Sequence, residues 1–326
     1  WDGRRTASAR AIDKVQLIEI TRQQFEKLLK RQPDLVYEMV REMSNRLTNS
    51  QENAIQVLHQ KNKELQKAYD ELKAAQAQLI EKERIEKELQ VAKEIQLSIL
   101  PRSLPKIEGY DLGALMVPAR EVGGDFFDVF PLGKGHLGIV IGDVTDKGVP
   151  AAIYMAQTRA LLRAQAAPGL KPEETLRLVN RILLDTNDSG LFVTVLYGDL
   201  DLKTGEMKYA RAGHEVPILL HPSGRTEALS FESGAPLGIM PQPMIDTQHT
   251  SVHPGELLLL YTDGVTDGLN LVSDGFGTEE LQKVMDTGGE MNAQAFCEYI
   301  STTIKERQAG KPQFDDVTLM AIKATS

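Results

Sequence analysis

Apolar positions follow three different rules along this chain. Near the start, Val15, Leu17 and Ile18 form a short strand-like run. Thr21-Arg22-Gln23-Gln24 then fits a capping box, in which the threonine hydroxyl and the glutamine amide serve each other's backbone. Behind it, Phe25, Leu28 and Leu29 share one helical face, and after Pro33 and Asp34 a second stripe runs through Val36, Met39, Val40, Met43 and Leu47. These residues are too few to close a core, so 1–46 reads as the C-terminal fragment of a domain.

Residues 47–100 contain neither glycine nor proline and are rich in Glu, Lys, Gln, Ala and Leu, which predicts one long helix. Leu58, Leu65, Leu72 and Leu79 recur every seven residues as heptad d positions, and Ile55, Asn62, Tyr69 and Gln76 occupy the a positions. A second seam, Ile85, Leu89, Ala92, Gln96 and Ile99, is out of phase with the first by one residue. A discontinuity near Ile80–Arg84 has to absorb the difference. So narrow a stripe on so long a helix asks for a partner, and a parallel dimeric coiled coil over 47–100 is the expectation. A solvated helix packed against its own domain is the alternative.

From Pro101 to the end, residues 101–326, the pattern is globular. Strand-like runs occupy Leu112–Val117, Leu137–Ile141, Leu191–Leu200, Met207–Arg211, Val216–Leu220, Glu256–Tyr261 and Val317–Ile322, with hairpin turns at Asp201–Gly205 and Pro222–Gly224. Helices are expected after Val149, from Pro172 to about Leu184, from Thr278 to Met285 and from Ala293 to Arg307. Hairpin-linked strands with grouped helices indicate an α+β fold with mainly antiparallel sheet.

Composition narrows the function classes. The net charge of −9, from 37 basic and 46 acidic residues, argues against a nucleic-acid binder, which needs a basic face. The one cysteine, Cys297, sits in a helical pattern as a core residue and excludes a disulfide framework. No apolar run approaches the ~20 residues that span a bilayer, and no signal peptide opens the chain, so no membrane association and a cytoplasmic location are expected.

Four acidic motifs stand at strand boundaries. Asp125 follows Gly123-Gly124, Asp143 ends an apolar run, Asp263 follows Leu257–Thr262, and Asp315-Asp316 opens Val317–Met320. A carboxylate at a strand end is held rigidly while its head can face a cleft. Several that converge need cations to stay ionised together. Oxygen ligands without cysteine or a histidine cluster favour Mg²⁺ or Mn²⁺. Each aspartate alone is also readable as a turn residue. Gly123 and Gly124 sharpen the case, because they would let backbone approach an ion closely.

Two resemblances follow. Gly3 to Arg10, with the strand and the Phe25 helix, looks like the C-terminal part of a cyclic-nucleotide-binding domain, which would make Arg5 and Thr6 its cyclic-phosphate contacts; a frayed basic terminus is the alternative. Separately, Pro118–Asp128, Gly142–Gly148, Ala212-Gly213-His214, Gly234–Gly238, Tyr261–Asp267 and Asp315–Leu319 resemble, in order, the signature of bacterial PPM (PP2C-like) phosphatases of the SpoIIE/RsbU type, from about Leu89 to Ala324.

The second resemblance implies two antiparallel β-sheets sandwiched between helices, and a centre of two divalent cations, Mn²⁺ or Mg²⁺. Asp125, Asp143 and the carbonyl of Val144 would be ligands, and Asp263 and Asp315 would hold the second ion, with Asp316 competing with Asp315. Asp128, Asp146 and Asp267 would be outer or third-metal groups. Arg120 would bind substrate phosphate or form a surface salt bridge, and His214 would be structural. The implied activity is metal-dependent hydrolysis of phosphoserine or phosphothreonine on a signalling protein such as an anti-sigma-factor antagonist, with water attacking in line and no covalent enzyme intermediate. An upstream sensor would act through the helical linker. A catalytically inactive dimeric scaffold is the alternative function, and the acidic charge disfavours a two-metal nuclease.

Overall fold

Leucine at four successive positions makes Leu257–Tyr261 a strand buried on both faces, and it sits inside a sheet. In the computed structural model, which describes residues 8, 10–186, 190–270, 277–308, 310 and 313–325, contacts divide the chain into two units, Trp1–Lys82 and Glu83–Ser326. Arg5 and Thr6, the expected cyclic-phosphate contacts, lie outside the described residues.

Among its described residues the first unit is helical from Arg22 onward, and the expected strand-like run at Val15, Leu17 and Ile18 forms no strand. Helix α1 (Arg22–Arg31) carries the capping box expected from the sequence, with Gln24 N donating to Thr21 Oγ1 and Thr21 N donating to Gln24 Oε1. Helix α2 (Pro33–Ile99) merges the expected terminal stripe and linker into one element of 67 residues, and its i,i+4 pairs Arg46–Glu42 and Lys67–Glu71 are exposed. Leu58, Leu65, Leu72 and Leu79 are exposed. The helix passes through Ile80–Arg84 without a break, so the seam changes phase while the backbone does not.

In the second unit the last turns of α2 bury their seam. Leu89, Ala92 and Ile99 are half-buried and Gln96 and Leu100 are buried, Leu100 within the core. The second seam is therefore used in cis from Leu89 onward, the alternative left open by the sequence.

The strands are β1 (Tyr110–Val117), β2 (Phe126–Gly133), β3 (His136–Val144), β4 (Val193–Asp201), β5 (Glu206–Ala212), β6 (Ile218–Leu220), β7 (Thr226–Ala228), β8 (Asp246–Ser251), β9 (Leu257–Tyr261) and β10 (Val317–Ala324). One sheet has the order β1-β10-β9-β6-β7 and the other β2-β3-β4-β5-β8, with antiparallel pairing between all neighbouring strands. Their inner faces meet through Phe127, Ile139, Leu196, Leu258, Met320 and Ile322. Helices α3 (Val149–Gln165) and α4 (Pro172–Thr186) cover the second sheet through Tyr154, Leu162 and Leu176, which pack with Phe126, Val140 and Val195. Helices α5 (Asp263–Asn270), α6 (Gly277–Met285) and α7 (Ala293–Gln308) cover the first, and Cys297 lies in that core as expected. This is the two-sheet sandwich between helices that the family resemblance implied.

The hairpin turns also fall where expected: Gly205 N donates to Asp201 O, and Gly224 N to His221 O. Strand β8 and helix α5 were not foreseen. Strand β8 reads Asp-Thr-Gln-His-Thr-Ser and has no apolar alternation. The Asp-Gly that opens α5 has the local composition of a turn.

Candidate metal centre

Adjacent strands β9 and β10 bring two of the acidic motifs side by side. Their register pairs Tyr261 with Leu319, so Thr262-Asp263 leaves one strand where Asp315–Val317 enters the next. Thr262 N donates to Thr318 O, and Thr318 N to Thr262 Oγ1. Both hydroxyls then point at one carboxylate: Thr262 Oγ1 and Thr318 Oγ1 donate to Asp125 Oδ2 at 2.8 and 2.6 Å. Asp125 is thereby fixed between the sheets, close enough to Asp143 at the end of β3 for the two carboxyls to shift each other's ionisation.

Glycine permits this approach. A Cβ on Gly124 would stand 2.6 Å from Val144 O, and one on Gly123 would overlap the Asp316 carboxylate. Asp316 is buried and is fully occupied with backbone. Its Oδ1 accepts from Ala119 N at 2.7 Å and its Oδ2 from Gly124 N at 2.9 Å. Asp315 instead faces a cleft of about 260 Å³ together with Asp143, Val144, Asp146, Lys147 and Asp263. The geometry separates the adjacent pair: Asp316 holds the loop that carries Asp125, and Asp315 lines the cleft.

The remaining candidates are distributed as follows. Asp125 lies behind Asp143 and does not line the cleft. Asp146 is at the rim with a φ of 70° and accepts from Lys147 N. Asp267, one turn after Asp263 on α5, is exposed, and its charge acts on Asp263. Arg120 is exposed in the loop between β1 and β2, with no hydrogen bond or ion pair to any described residue. Asp128 is a correction. It was expected as an outer or third-metal group, but its side chain turns to α3, where Arg159 NH2 lies at 2.8 Å and Arg163 Nε at 2.6 Å from Oδ2. With two guanidinium partners on a fully buried carboxylate, it is a packing ion pair and is not brought to the cluster.

His214 is structural in its contacts. It is buried, Nδ1 lies 2.9 Å from Thr194 Oγ1, and that hydroxyl donates to Asp143 O at 3.4 Å. Burial, with the charge of Arg211, lowers its pKa to about 3, so the ring is neutral.

Electrostatics describe an acidic cluster short of positive charge. Burial, followed by the charges of Asp143 and Asp316, holds the Asp125 carboxyl well above the usual range, against the two threonine hydroxyls. Burial and Asp263 raise Asp143 to about 7. Asp263 keeps an exposed edge, yet partial desolvation at the cleft and the charges of Asp315 and Asp267 raise its pKa, with Lys147 opposing them. Lys147 Nζ lies 2.9 Å from Asp315 Oδ1 and 4.8 Å from the centre of the Phe314 ring. The sequence reading passed over Lys147, Thr262, Thr318 and Thr194. A lysine or a threonine beside an acidic motif has no spacing signal, and its role appears only when the strands are paired.

The donor set suits hard divalent cations: several carboxylate oxygens and the Val144 backbone around a small cleft, with buried carboxylates that resist joint ionisation without added positive charge. Among the described residues no three His, Cys, Asp or Glu side chains form a closed ligand set, so the carboxylates flank the cleft and do not already enclose one point.

The sequence model of the family described as Stage II sporulation protein E (SpoIIE) matches residues 133–325. The chain belongs to the SpoIIE family. Phosphoserine phosphatase RsbU of Bacillus subtilis (strain 168) is 28% identical over 240 residues, which cover 73% of this chain and 70% of RsbU. Protein IcfG of Synechocystis sp. is 32% identical over 262 residues, 72% of this chain but only 41% of IcfG, so the chain spans less than half of that relative. Among solved structures, the RsbU and RsbW domains of a Mycobacterium tuberculosis protein match with a TM-score of 0.57 at 29% identity, over 70% of this chain and 63% of that one. The SiaA-PP2C domain of Pseudomonas aeruginosa matches in fold with a TM-score of 0.64 at 21% identity, over 74% and 97% of the two chains. This SpoIIE-family chain therefore carries a PPM-type phosphoprotein phosphatase domain.

Proposed function

We propose that the chain is a metal-dependent protein serine/threonine phosphatase acting on a phosphorylated signalling protein, with Asp143, Val144 O, Asp263 and Asp315 as ligands of two divalent cations. The observation that carries this reading is the cleft where these groups meet, backed by Asp125. Mn²⁺ or Mg²⁺ bound there would neutralise the phosphate dianion and acidify a water for in-line attack. The chain's own residues do the rest. Thr262 and Thr318 hold Asp125, Thr194 bonds the Asp143 carbonyl, and Asp316 fixes the loop that carries Asp125. Arg120 is free to reach a substrate phosphate at the rim. RsbU is named a phosphoserine phosphatase, and a similar fold, RsbX, was solved in complex with magnesium; both support the reading.

A cytoplasmic location belongs to this proposal; among the described residues no helix is long and apolar enough to cross a membrane. Regulation through α2 is part of it as well. The exposed heptad positions Leu58, Leu65, Leu72 and Leu79 suit a parallel second copy, and an upstream sensor, with a cyclic nucleotide as its ligand, would act through that pairing. The inactive-scaffold alternative is disfavoured by the presence of Asp143, Asp263 and Asp315 together in the cleft, with Asp125 held by Thr262 and Thr318.

The test is hydrolysis of p-nitrophenyl phosphate with and without Mn²⁺. Turnover should vanish in excess chelator and in Asp263→Ala, with the circular dichroism of the variant unchanged. Full activity in chelator would end the two-metal reading. Lys147 supplies a second test, since it places a cation on Asp315. Lys147→Met should lower the melting temperature of the metal-free protein and tighten Mn²⁺ binding several-fold by calorimetry, because the ammonium no longer competes at Asp315. Unchanged binding would show that the lysine does not occupy a ligand position.

A further inference from the structure

We infer that Gln96 is a positioning residue for the metal centre: the last turns of α2 set the peptide that precedes Gly124-Asp125 through this one side chain. The inference rests on the metal-dependent phosphatase reading and adds a residue to its machinery. Gln96 is the buried residue of α2 among those described. Its Nε2 donates to Gly123 O at 2.7 Å, and its Oε1 accepts from Gly123 N at 3.1 Å. Both ends of one amide thus serve both polar groups of one residue 27 positions away. Only a side chain carrying a donor and an acceptor can do this; an ionised Glu has no donor and Leu has neither.

The next bonds continue in register. Gly124 N donates to Asp316 Oδ2 at 2.9 Å, and Gly124 O accepts from Val144 N at 3.3 Å. Asp125 then meets Thr262 and Thr318. The loop is held at successive residues by α2, by the β10 entrance and by the end of β3. Gly123 has no side chain to pack and no room for one, so its bonds to Gln96 fix it on the α2 side. Half-buried Ile99 and buried Leu100 set the depth of that turn in the core. Turning it by one residue, about 100°, would carry the amide off Gly123.

The experiment uses the full chain. Gln96→Leu, Gln96→Glu and the wild type are titrated with Mn²⁺ by calorimetry, then assayed for kcat and KM with p-nitrophenyl phosphate across Mn²⁺ concentrations, with melting curves alongside. Gln96→Leu should weaken Mn²⁺ binding by about tenfold, the scale of one or two buried hydrogen bonds lost from the loop. It should raise the half-activating Mn²⁺ concentration to match, recover most of kcat at saturating metal and leave KM unchanged. Gln96→Glu, which keeps the bond from Gly123 N, should fall between the two, and it carries the test if Leu prevents folding. A merely structural role would lower the melting temperature and leave the Mn²⁺ isotherms superimposed; that result overturns the inference. A wild type that neither binds Mn²⁺ nor turns over overturns the phosphatase reading itself, and the inference with it.

Discussion

Replacing Asp143 with Asn is expected to abolish turnover and at the same time make the metal-free protein harder to unfold at pH 8. The two effects share one cause. Asp143 is largely buried beside Asp125, and the charges of Asp263, Asp315 and Asp316 also act on it, so its pKa is raised from 3.8 to about 7. Lys147, on Asp315, is the cation that faces them across the cleft. Because the folded state keeps a proton that the unfolded chain releases, metal-free stability falls as pH rises from about 4 to about 7, and the full penalty persists above that. An Asn at this position keeps a polar head against Asp125 without the charge. Metal-free melting curves at pH 5 and pH 8 should therefore differ less for Asp143→Asn than for the wild type, by on the order of a few kcal/mol at pH 8. Saturating Mn²⁺ should reverse the ranking, because the wild type alone gains binding energy from the ion. Hydrolysis should fall at least about 10²–10³-fold, the scale of losing one preorganised charge-stabilising group. A variant less stable than the wild type in chelator at pH 8 would remove the electrostatic argument.

The acidic cluster was legible because strand ends are legible. Leu257–Tyr261 and Val317–Met320 are strongly apolar, and a carboxylate just outside such a run has few places to point. What each carboxylate does was less legible. Asp315 and Asp316 are chemically identical neighbours, and only the loop wrapped over them decides that Asp316 caps Ala119 and Gly124 while Asp315 faces the cleft. Asp128 misled because proximity to Asp125 in sequence says nothing about the other side of a strand. Its partners, Arg159 and Arg163, lie more than 30 residues away on α3.

The linker shows the same division. Its helicity follows from composition and from the absence of Gly and Pro, and it holds over Pro33–Ile99. The phase change between its seams was visible as a mismatch, but its reason was not. Leu89, Ala92, Gln96 and Ile99 turn toward the catalytic domain, whereas Leu58 to Leu79 remain exposed. A heptad pattern cannot say whether a stripe meets a second helix or its own chain. Gln96 reads from the sequence only as a member of the second seam, and its use is clear only with Gly123 beside it.

Asp246→Ala should cost about 3–5 kcal/mol, a large part of the ~5–15 kcal/mol that holds an ordinary domain together. Asp246 opens β8, a strand that its own sequence barely announces, and accepts from Arg211 Nε at 2.9 Å and NH2 at 2.7 Å. Both residues are buried, so alanine would strand a guanidinium away from water. The consequence reaches the metal centre. Arg211 also donates to the carbonyls of His214 and Glu232, and His214 holds Thr194 against Asp143 O. The melting temperature should drop by roughly 10 °C, and Mn²⁺ affinity should weaken in the fraction that remains folded. Asp246→Asn, which keeps one acceptor oxygen, should lose less. The double replacement Arg211→Met with Asp246→Leu should recover much of the stability, because the buried pair is costly to break but not to exchange for apolar volume. It should not recover the Mn²⁺ affinity, since methionine cannot hold the His214 carbonyl. If the double variant regains both, Arg211 is only packing, and the path from β8 to Asp143 does not exist.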